Sequence, residues 1–345
     1  MKVAFIVPSL EDSGLTRIPF LLAQNLLKDC FVKIFYFKDA KSRNFKFNVE
    51  VPTKKISLVK FDDELNEFDV IHSHGMKPDC YTWLNMARIR GKKITTVHGF
   101  RHEELMYLYG MPLSVIYNAL WNFVSSKFDR LVFTVGVQQN YYRKIGLKDG
   151  ELIYNGVPRI SVNSVQTIKS SNMTNISTLS NLGARKGIDQ ILKVLALNEQ
   201  YHLTLIGGSN IQYIQNLQSL ASKLDVGQRC YFLGFVDNPW EIILESDVFI
   251  FPSRSEGFGI ALVEAASLGI PIICSDIPTF REMFDDNEVT FFKLDDIDDL
   301  NNKILMLDEI KDKVSRAKLK AEKLFSLESM CYNYYQEYKK LIDAN

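Results

Sequence analysis

The stretch Asp247–Pro271, DVFIFPSRSEGFGIALVEAASLGIP, indicates a strand, a glycine-rich turn and a helix in succession. The first residues are apolar, branched or aromatic, which is typical of a buried strand. A helix is predicted from Ile260, and the Gly-Ile-Pro at the end of the stretch is a normal helix stop. Two glutamates flank the turn: Glu256 precedes the helix and Glu264 lies inside it.

The spacing of these two glutamates suggests a ligand. The unpaired backbone N–H groups at the start of a helix bind anions and suit a diphosphate. A carboxylate accepts charge-assisted hydrogen bonds from sugar hydroxyls. Glu256 and Glu264 on either side of a diphosphate would therefore recognise a nucleotide-sugar, which has ribose at one end and a hexose at the other. An isolated pair with this spacing is more often a surface acid and an ordinary helical glutamate, so the interpretation depends on the rest of the chain.

The same alternation of strand and helix runs along all 345 residues, which are too many for one average domain. It predicts parallel sheets with helices on both faces. The polar stretch 161–175 interrupts the pattern, which then restarts. We therefore predict an α/β protein of two doubly wound, Rossmann-like domains, 1–160 and 161–326, which face each other across a cleft. That cleft is the expected ligand site. A C-terminal helix at about 327–345 is expected to pack back on the first domain.

The segment Ser255–Pro278, SEGFGIALVEAASLGIPIICSDIP, closely resembles the signature of the GT-B, family-4 glycosyltransferases, which are retaining enzymes that use nucleotide-sugars. Glu256 and Glu264 match the E-x7-E motif of that family. The segments LTLIGG, 203–208, and LIYNGV, 152–157, are also similar to family elements, so the resemblance covers nearly the whole chain. It implies transfer of a hexose from a UDP-sugar, or alternatively a GDP-sugar, without a cofactor.

The resemblance also implies roles for individual residues toward the donor. In similar enzymes the first glutamate, here Glu256, contacts the donor hexose, and the second, here Glu264, binds the ribose. The backbone amides of Phe258, Gly259 and Ile260 would hold the distal phosphate.

Further donor contacts are implied at three other places. The loop LEDSGLTR resembles the family's glycine-rich loop, in which Gly14 brings the backbone close to the diphosphate. Gly234 and Phe235 would bracket the base. His98 matches the histidine that contacts the donor sugar or its transition state. We therefore expect Glu256, His98 and the lysine described next to be the catalytic residues.

One motif departs from the family pattern. The family usually carries G-R-L-x-x-x-K-G, whose Arg and Lys clamp the diphosphate, and this chain has SNLGARKG at 180–187. Lys186 matches the lysine, but Asn181 stands where the arginine is expected. Because stabilisation of a leaving phosphate is electrostatic, the missing cation matters for rate. We hypothesise that Arg185 replaces it.

Candidate acceptor contacts follow two neighbouring predicted strands. His72 and His74 end the predicted strand in DVIHSHG, 69–75. His74 is expected on the acceptor side, whereas His72 alternates with it and is expected to pack. Arg101 and Glu103 follow His98 in a predicted loop and are further acceptor candidates.

Charge and apolarity predict the kind of partner. Residues 1–165 contain 23 Lys and Arg against 16 Asp and Glu, a net charge of +7, so the remainder carries −7 in a chain of zero net charge. The segment 105–127 is apolar and aromatic, with basic residues nearby. This pattern is typical of a helix at a membrane interface and equally of a helix packed on a sheet. Together they favour a peripheral membrane contact and a glycan acceptor on a lipid diphosphate, as in bacterial O-antigen or capsule synthesis.

Other partners and locations are not indicated. DDIDD, 295–299, contains a DxD but precedes a predicted helix, where acids favour the helix dipole, so no metal is expected. No nucleic-acid partner is predicted. The five cysteines form no CxxC pair, the first residues do not form a signal peptide, and no apolar run reaches the roughly 18 residues of a membrane span. A cytoplasmic enzyme, at the inner face of the plasma membrane, is expected.

Two alternative functions stay open. A nucleotide-sugar epimerase of the same fold would release a free epimer without an acceptor. An inactive nucleotide-sugar-binding subunit would bind without turnover, and Asn181 is the feature that suggests it. Donor turnover and its dependence on an acceptor separate the three functions.

Overall fold

The computed structural model describes residues 1–11, 13–40, 50–162, 173–181, 183–208 and 210–344. The chain forms two compact units. The first consists of Met1–Pro158 and Leu324–Asn345, and the second of Arg159–Lys323. Each contains a parallel sheet flanked by helices, which confirms the predicted α/β, doubly wound fold class. Most of the polar stretch 161–175 lies outside the described residues, and its end already belongs to a strand.

The elements have the following bounds. The strands are β1 Lys2–Ser9, β2 Phe31–Lys38, β3 Thr53–Lys55, β4 Val70–His74, β5 Lys92–Val97, β6 Arg130–Phe133, β7 Glu151–Leu152, β8 Thr174–Leu179, β9 Tyr201–Ile206, β10 Cys230–Gly234, β11 Val248–Phe251, β12 Ile272–Ser275 and β13 Thr290–Phe292. The α-helices are α1 Gly14–Leu26, α2 Met76–Leu84, α3 Arg101–Tyr109, α4 Leu113–Ser126, α5 Gly136–Lys144, α6 Ile188–Leu195, α7 Ile211–Lys223, α8 Pro239–Ile243, α9 Ile260–Leu268, α10 Pro278–Met283, α11 Ile297–Leu305, α12 Leu307–Lys311, α13 Val314–Leu324 and α14 Leu327–Asp343. Short 3₁₀ turns occupy Asp63–Glu67, Ala184–Lys186 and Gly227–Arg229.

The sheet of the first unit has the order β3-β2-β1-β4-β5-β6-β7 in the described residues, and its strand pairs are parallel. The direction in which successive strands are added to this sheet reverses between β1 and β4. Both central strands are almost wholly buried, since helices cover both faces of such a sheet. Ligands of doubly wound sheets bind at the carboxyl ends of the strands where the order reverses. His74 ends β4 at that edge, and His98 follows β5 beside it.

The sheet of the second unit has the order β10-β9-β8-β11-β12-β13 in the described residues and is also parallel. Here the order reverses between β8 and β11. The chain leaves β8 toward Ala184–Lys186 and leaves β11 toward Glu256. The reversal therefore brings the lysine motif and the first glutamate of the E-x7-E motif to the same edge of the sheet.

Helix α14 belongs to the first unit and buries two of its aromatic residues. Tyr334 and Tyr338 are fully buried. The Tyr338 hydroxyl lies 2.7 Å from His72 Nδ1, and the Tyr334 hydroxyl lies 2.9 Å from Thr96 Oγ1. The helix thus contacts the two strands that carry the histidines.

The apolar segment 105–127 differs from the single helix considered for it. It contains the end of α3 and all of α4, separated at 110–112. Gly110 has a φ of +68°, and Pro112 has no backbone N–H with which to continue a helix. The predicted strand at 152–157 is also shorter than expected, because β7 ends at Leu152.

Candidate active site

The carboxylate of Glu256 is the centre of a charged cluster in the second unit. Its side chain is buried, with 6% of its surface exposed. Lys186 Nζ lies 2.5 Å from Oε1, and the Ser253 hydroxyl donates to the same oxygen at 2.7 Å. Arg185 Nη1 lies 3.4 Å from Oε2 and donates to the Ser255 carbonyl at 2.6 Å. Both cations of the lysine motif therefore reach the first glutamate of the E-x7-E motif.

The cluster keeps Glu256 ionised. Burial alone raises the pKa of this carboxyl, but the charges of Lys186 and Arg185 and the hydrogen bonds from Lys186 and Ser253 outweigh burial. The pKa of Glu256 consequently lies below its ordinary value. At neutral pH the site presents a carboxylate with two cations beside it.

Gly187 permits the approach of the lysine loop to the end of β11. It has a φ of +66°, and a Cβ there would lie 2.1 Å from the Pro252 carbonyl oxygen. Gln190 Nε2 donates to that same oxygen at 3.0 Å, just behind the turn. A residue with a side chain at Gly187 would push Lys186 away from Glu256.

Arg254 fixes the same loop from the other side. Its backbone N–H donates to the Arg185 carbonyl at 2.8 Å, and its Nη1 donates to the Ala184 carbonyl at 2.9 Å. Its guanidinium is held by Asp189 and Asp295 at 2.6–3.3 Å. The backbone on either side of the cluster is therefore joined by hydrogen bonds, which positions the two cations.

Helix α9 begins next to the cluster. Its N-cap, Gly259, has a φ of +93°, and a Cβ there would lie 2.8 Å from the Phe280 ring. Phe258 is buried, Ile260 is the first helical residue, and Glu264 lies inside the helix with 5% of its surface exposed. The glycine turn and helix predicted for this stretch are confirmed. A helix N-terminus of this kind attracts anions.

The two remaining donor candidates of the second unit lie at the end of β10. Gly234 has a φ of +68°, and its carbonyl accepts a hydrogen bond from Gly207 at 2.7 Å. Phe235 is 55% exposed. In the first unit, Gly14 is exposed at the start of α1, directly after Ser13, which caps that helix.

His74 and His98 form a pair in the first unit. His74 Nδ1 lies 2.9 Å from His98 Nε2. The His74 ring is fully buried, whereas His98 is half-buried. Burial lowers the pKa of His74 well below its ordinary value, and burial with the nearby Arg101 lowers the pKa of His98 to about 4. Both imidazoles are therefore neutral at pH 7.

His72 packs behind this pair, as predicted. It is fully buried, and its ring centroid lies 4.0 Å from that of His74. Its Nδ1 and Nε2 contact the hydroxyls of Tyr338 and Thr96 at 2.7 and 2.8 Å.

Arg101 and Glu103 occupy the first turn of α3, so the predicted loop was wrong. Arg101 is 1% exposed, and its guanidinium carbon lies 4.2 Å from the centroid of the Trp121 ring. Its backbone N–H donates to the Tyr142 hydroxyl at 2.8 Å. The Arg101 side chain, which was expected to contact an acceptor, instead packs on Trp121. Glu103 is partly exposed.

Sequence reasoning missed Asp79, a fully buried carboxylate in the first turn of α2. It accepts hydrogen bonds from Ser73 Oγ at 2.5 Å, Thr95 Oγ1 at 2.7 Å and Trp121 Nε1 at 2.6 Å. Burial raises the pKa of Asp79, although Arg101 and these donors act in the opposite direction. The residue ties α4 to the ends of β4 and β5. Its position just after a predicted strand was the available signal.

Two properties of the described residues bear on partners. No group of three His, Cys, Asp or Glu side chains among them is arranged to hold a metal ion. No helix in the same part of the chain combines the length and apolarity needed to cross a membrane.

Comparison with known proteins shows the family. The family model for glycosyl transferases group 1 matches residues 151–324, and the model for glycosyltransferase family 4 matches residues 27–159. The O-antigen biosynthesis glycosyltransferase WclY of Escherichia coli is 32% identical over 321 residues, which cover 90% of this chain and 88% of the relative. The O-antigen chain mannosyltransferase RfbU of Salmonella typhimurium is 31% identical over 121 residues, 34% of each chain.

The fold has well-matched solved relatives. The crystal structure of Anabaena HepE in complex with UDP and glucose matches with a TM-score of 0.86 at 18% identity, covering 98% of this chain and 99% of that chain. The chain therefore belongs to the family-4 glycosyltransferases and has the GT-B fold.

Proposed function

We propose that this glycosyltransferase moves a hexose, with retention of configuration, from a nucleotide-sugar to a lipid-linked glycan in bacterial O-antigen or capsule synthesis. The observation that carries the proposal is the contact of Lys186 and Arg185 with Glu256 at the start of α9. The names of the relatives WclY and RfbU support O-antigen synthesis. The UDP, glucose and UDP-glucose bound to HepE favour a UDP-sugar over the alternative GDP-sugar.

The cluster suits a donor because its charges match the two parts of the molecule. Lys186 and Arg185 would turn from Glu256 to the diphosphate, where positive charge stabilises the leaving phosphate. Glu256, relieved of its ion pairs, would accept hydrogen bonds from hexose hydroxyls. The N-terminus of α9 would hold the distal phosphate and Glu264 the ribose.

Retention is what the family resemblance implies, and Asp79 offers no base for an inverting route. An inverting enzyme needs a carboxylate or imidazole that takes the acceptor proton. Asp79 is fully buried and already accepts three hydrogen bonds, so it is unsuited to that task. In the same-face route, the leaving phosphate itself helps to deprotonate the acceptor.

The test is release of UDP from UDP-hexoses, with and without lipid-linked glycan acceptors, and the anomeric configuration of the product by NMR. We expect acceptor-dependent turnover that Glu256→Gln abolishes and that Glu309→Gln, at an exposed acid, leaves intact. A free epimer without acceptor would indicate the epimerase. Binding of UDP-sugar without turnover, over the full acceptor panel, would indicate the inactive subunit.

Arg185 has a separate test within this proposal. Its guanidinium lies 3.4 Å from Oε2 of Glu256, and Lys186 Nζ lies 2.5 Å from Oε1, so both cations reach the same carboxylate, as a replacement for the arginine absent at Asn181 requires. We expect Arg185→Ala to lower turnover strongly. Unchanged turnover would refute the replacement.

A peripheral membrane contact is a further part of the proposal, and exposed apolar side chains of the first unit favour it. Eight large apolar side chains of α3, α4 and the turn between them are 43–66% exposed: Met106, Tyr107, Met111, Leu113, Val115, Ile116, Leu120 and Phe123. Contiguous exposed apolar surface is unusual on monomers and marks interaction sites. Lys127 Nζ lies 4.8 Å from the Phe123 ring centroid, so a cation borders the surface.

Flotation with anionic liposomes tests this contact. We expect Met111→Ser with Ile116→Ser to abolish co-flotation. Leu319→Ser, at a residue of the second unit that is 67% exposed, serves as the matched control and should change nothing. Absence of co-flotation of the unaltered protein at low salt would refute the membrane contact.

A further inference from the structure

His74 has one buried nitrogen with a partner and one without. Its Nδ1 lies 2.9 Å from His98 Nε2, whereas its Nε2 is buried and has no hydrogen-bond partner among the described residues. A neutral imidazole has one N–H donor and one acceptor nitrogen. Within the described chain, His98 is therefore the single group that can accept a hydrogen bond from the N–H of His74.

Neither His72 nor Phe5, two of the described rings packed against His74, offers Nε2 a partner. His72 lies closest in ring position, but its two nitrogens are taken by Tyr338 and Thr96. On another side the Phe5 ring stacks at 5.8 Å between centroids and provides no hydrogen-bonding group. The His74 ring thus packs against aromatic rings, and its Nε2 atom is buried without a hydrogen-bond partner among the described residues.

This environment decides which atom carries the proton. If the proton were on Nε2 of His74, a buried N–H would have no acceptor, and such orphaned donors are rare in proteins. With the proton on Nδ1, that N–H donates to His98 Nε2, and the atom left without a partner is only a lone pair. His98, whose Nε2 then accepts, must carry its own proton on Nδ1.

We propose that His74 is a positioning residue that donates Nδ1–H to Nε2 of His98 and thereby fixes His98 as the Nδ1-protonated tautomer. His98 is half-buried and follows the end of β5, where the parallel sheet places its ligand-binding edge. Its ring plane and its proton are both set by a partner that is buried and packs against the rings of His72 and Phe5.

The chemical consequence rests on the proposed function. His98 presents an N–H donor at Nδ1, which recognises an oxygen that accepts, such as a sugar hydroxyl or ring oxygen. The same nitrogen has no lone pair with which to take the acceptor's proton. His74 then acts through His98 and not by touching the acceptor, which accords with its fully buried ring.

NMR on the unaltered protein tests the proton order without any activity. The chain has five histidines, so selective ¹⁵N-histidine labelling and long-range ¹H–¹⁵N correlation at pH 7 resolve each tautomer. The signal of His98 is identified by its loss in His98→Asn. We expect His98 with its proton on Nδ1 and a bare Nε2. A proton on Nε2, or an imidazolium, would overturn the proposal.

A pair of variants tests the positioning role. The amide nitrogen of asparagine occupies nearly the place of histidine Nδ1, and that of glutamine the place of Nε2. We expect His74→Asn to keep kcat/KM within a few-fold of the unaltered enzyme. His74→Gln should lower it about tenfold or more, since misplacing a substrate contact costs up to about a hundredfold. Equal behaviour of the two variants at matched melting temperatures would contradict the positioning role.

The two experiments separate this proposal from the proposed function. If no transferase activity is found but His98 carries its proton on Nδ1, the proton order stands and the proposed function fails. If activity is found and the tautomer is reversed, the proposed function stands and this inference fails.

Discussion

Replacing Lys186 with methionine removes the closest cation from a buried carboxylate while preserving the length of the side chain. In the unaltered protein, Lys186 Nζ lies 2.5 Å from Oε1 of Glu256, whose side chain is 6% exposed. The variant keeps the Ser253 hydroxyl at 2.7 Å and Arg185 at 3.4 Å. Glu256 thus loses its strongest partner but not all of them.

The expected magnitude follows from that partial loss. Removing one partner of a buried ion pair costs about 3–5 kcal/mol, and because Arg185 and Ser253 remain we expect about 2–3 kcal/mol at pH 7. In a double-mutant cycle, Glu256→Gln in the Lys186→Met background should recover much of this loss, because the uncompensated charge is then gone.

The loss should depend on pH in a defined direction. The pKa of Glu256 lies below its ordinary value of 4.5, so its ion pairs stabilise the folded chain above that pH, and this stability is lost as the pH falls through the lowered pKa. In Lys186→Met, burial acts against the charge with less opposition, and the pKa of Glu256 rises. The stability difference between the two proteins should therefore be larger at pH 7 than at pH 4.

Urea unfolding at pH 7 and pH 4 measures both effects. Lys311→Met is the matched control, because Lys311 pairs with the exposed Asp308 and surface pairs contribute little. Equal stability of Lys186→Met and the unaltered protein at pH 7 would refute the reasoning, and so would a difference that does not shrink at pH 4.

Three further predictions concern the lysine loop, the ribose contact and the absence of a metal. Gly187→Ala should lower the free energy of unfolding by at least about 1 kcal/mol, because alanine is strained at a positive φ and its Cβ meets the Pro252 carbonyl. Gly183→Ala, where a Cβ meets open space, is the control. Equal unfolding midpoints for the two variants would contradict the prediction. Glu264→Gln should weaken UDP affinity in calorimetry by about tenfold or more, the value of a charge-assisted hydrogen bond, and an unchanged Kd would exclude the ribose contact. EDTA should leave turnover unchanged, since we propose that no metal takes part; a loss restored by Mn²⁺ would disprove this.

The fold could be predicted because its signal is repeated along the chain. Each buried parallel strand is a short apolar run such as DVFIFPS, and each helix start or stop has local chemistry that needs no partner. Apolarity alone does not set helix ends at 105–127, where the apolar run continues through Gly110 and Pro112 but the helix is interrupted.

The candidate site was less accessible from sequence. The strand pattern placed Glu256 on a turn after a strand, and the family resemblance identified Lys186. The direction of Arg185 depends on Arg254 and Gly187, which act through tertiary contacts. Asp79 was missed, because its three hydrogen-bond donors come from separate elements that only the fold brings together.

Titration with UDP tests the central claim most directly, because the claim is that the Lys186–Glu256 cluster binds the diphosphate of the donor. Ligands that bind the folded state raise its melting temperature by mass action. We predict that UDP raises the melting temperature of the unaltered protein more than GDP or ADP does, and that Lys186→Met loses most of this rise. No rise with any of the three nucleotides, or an equal rise in the variant, would contradict the claim.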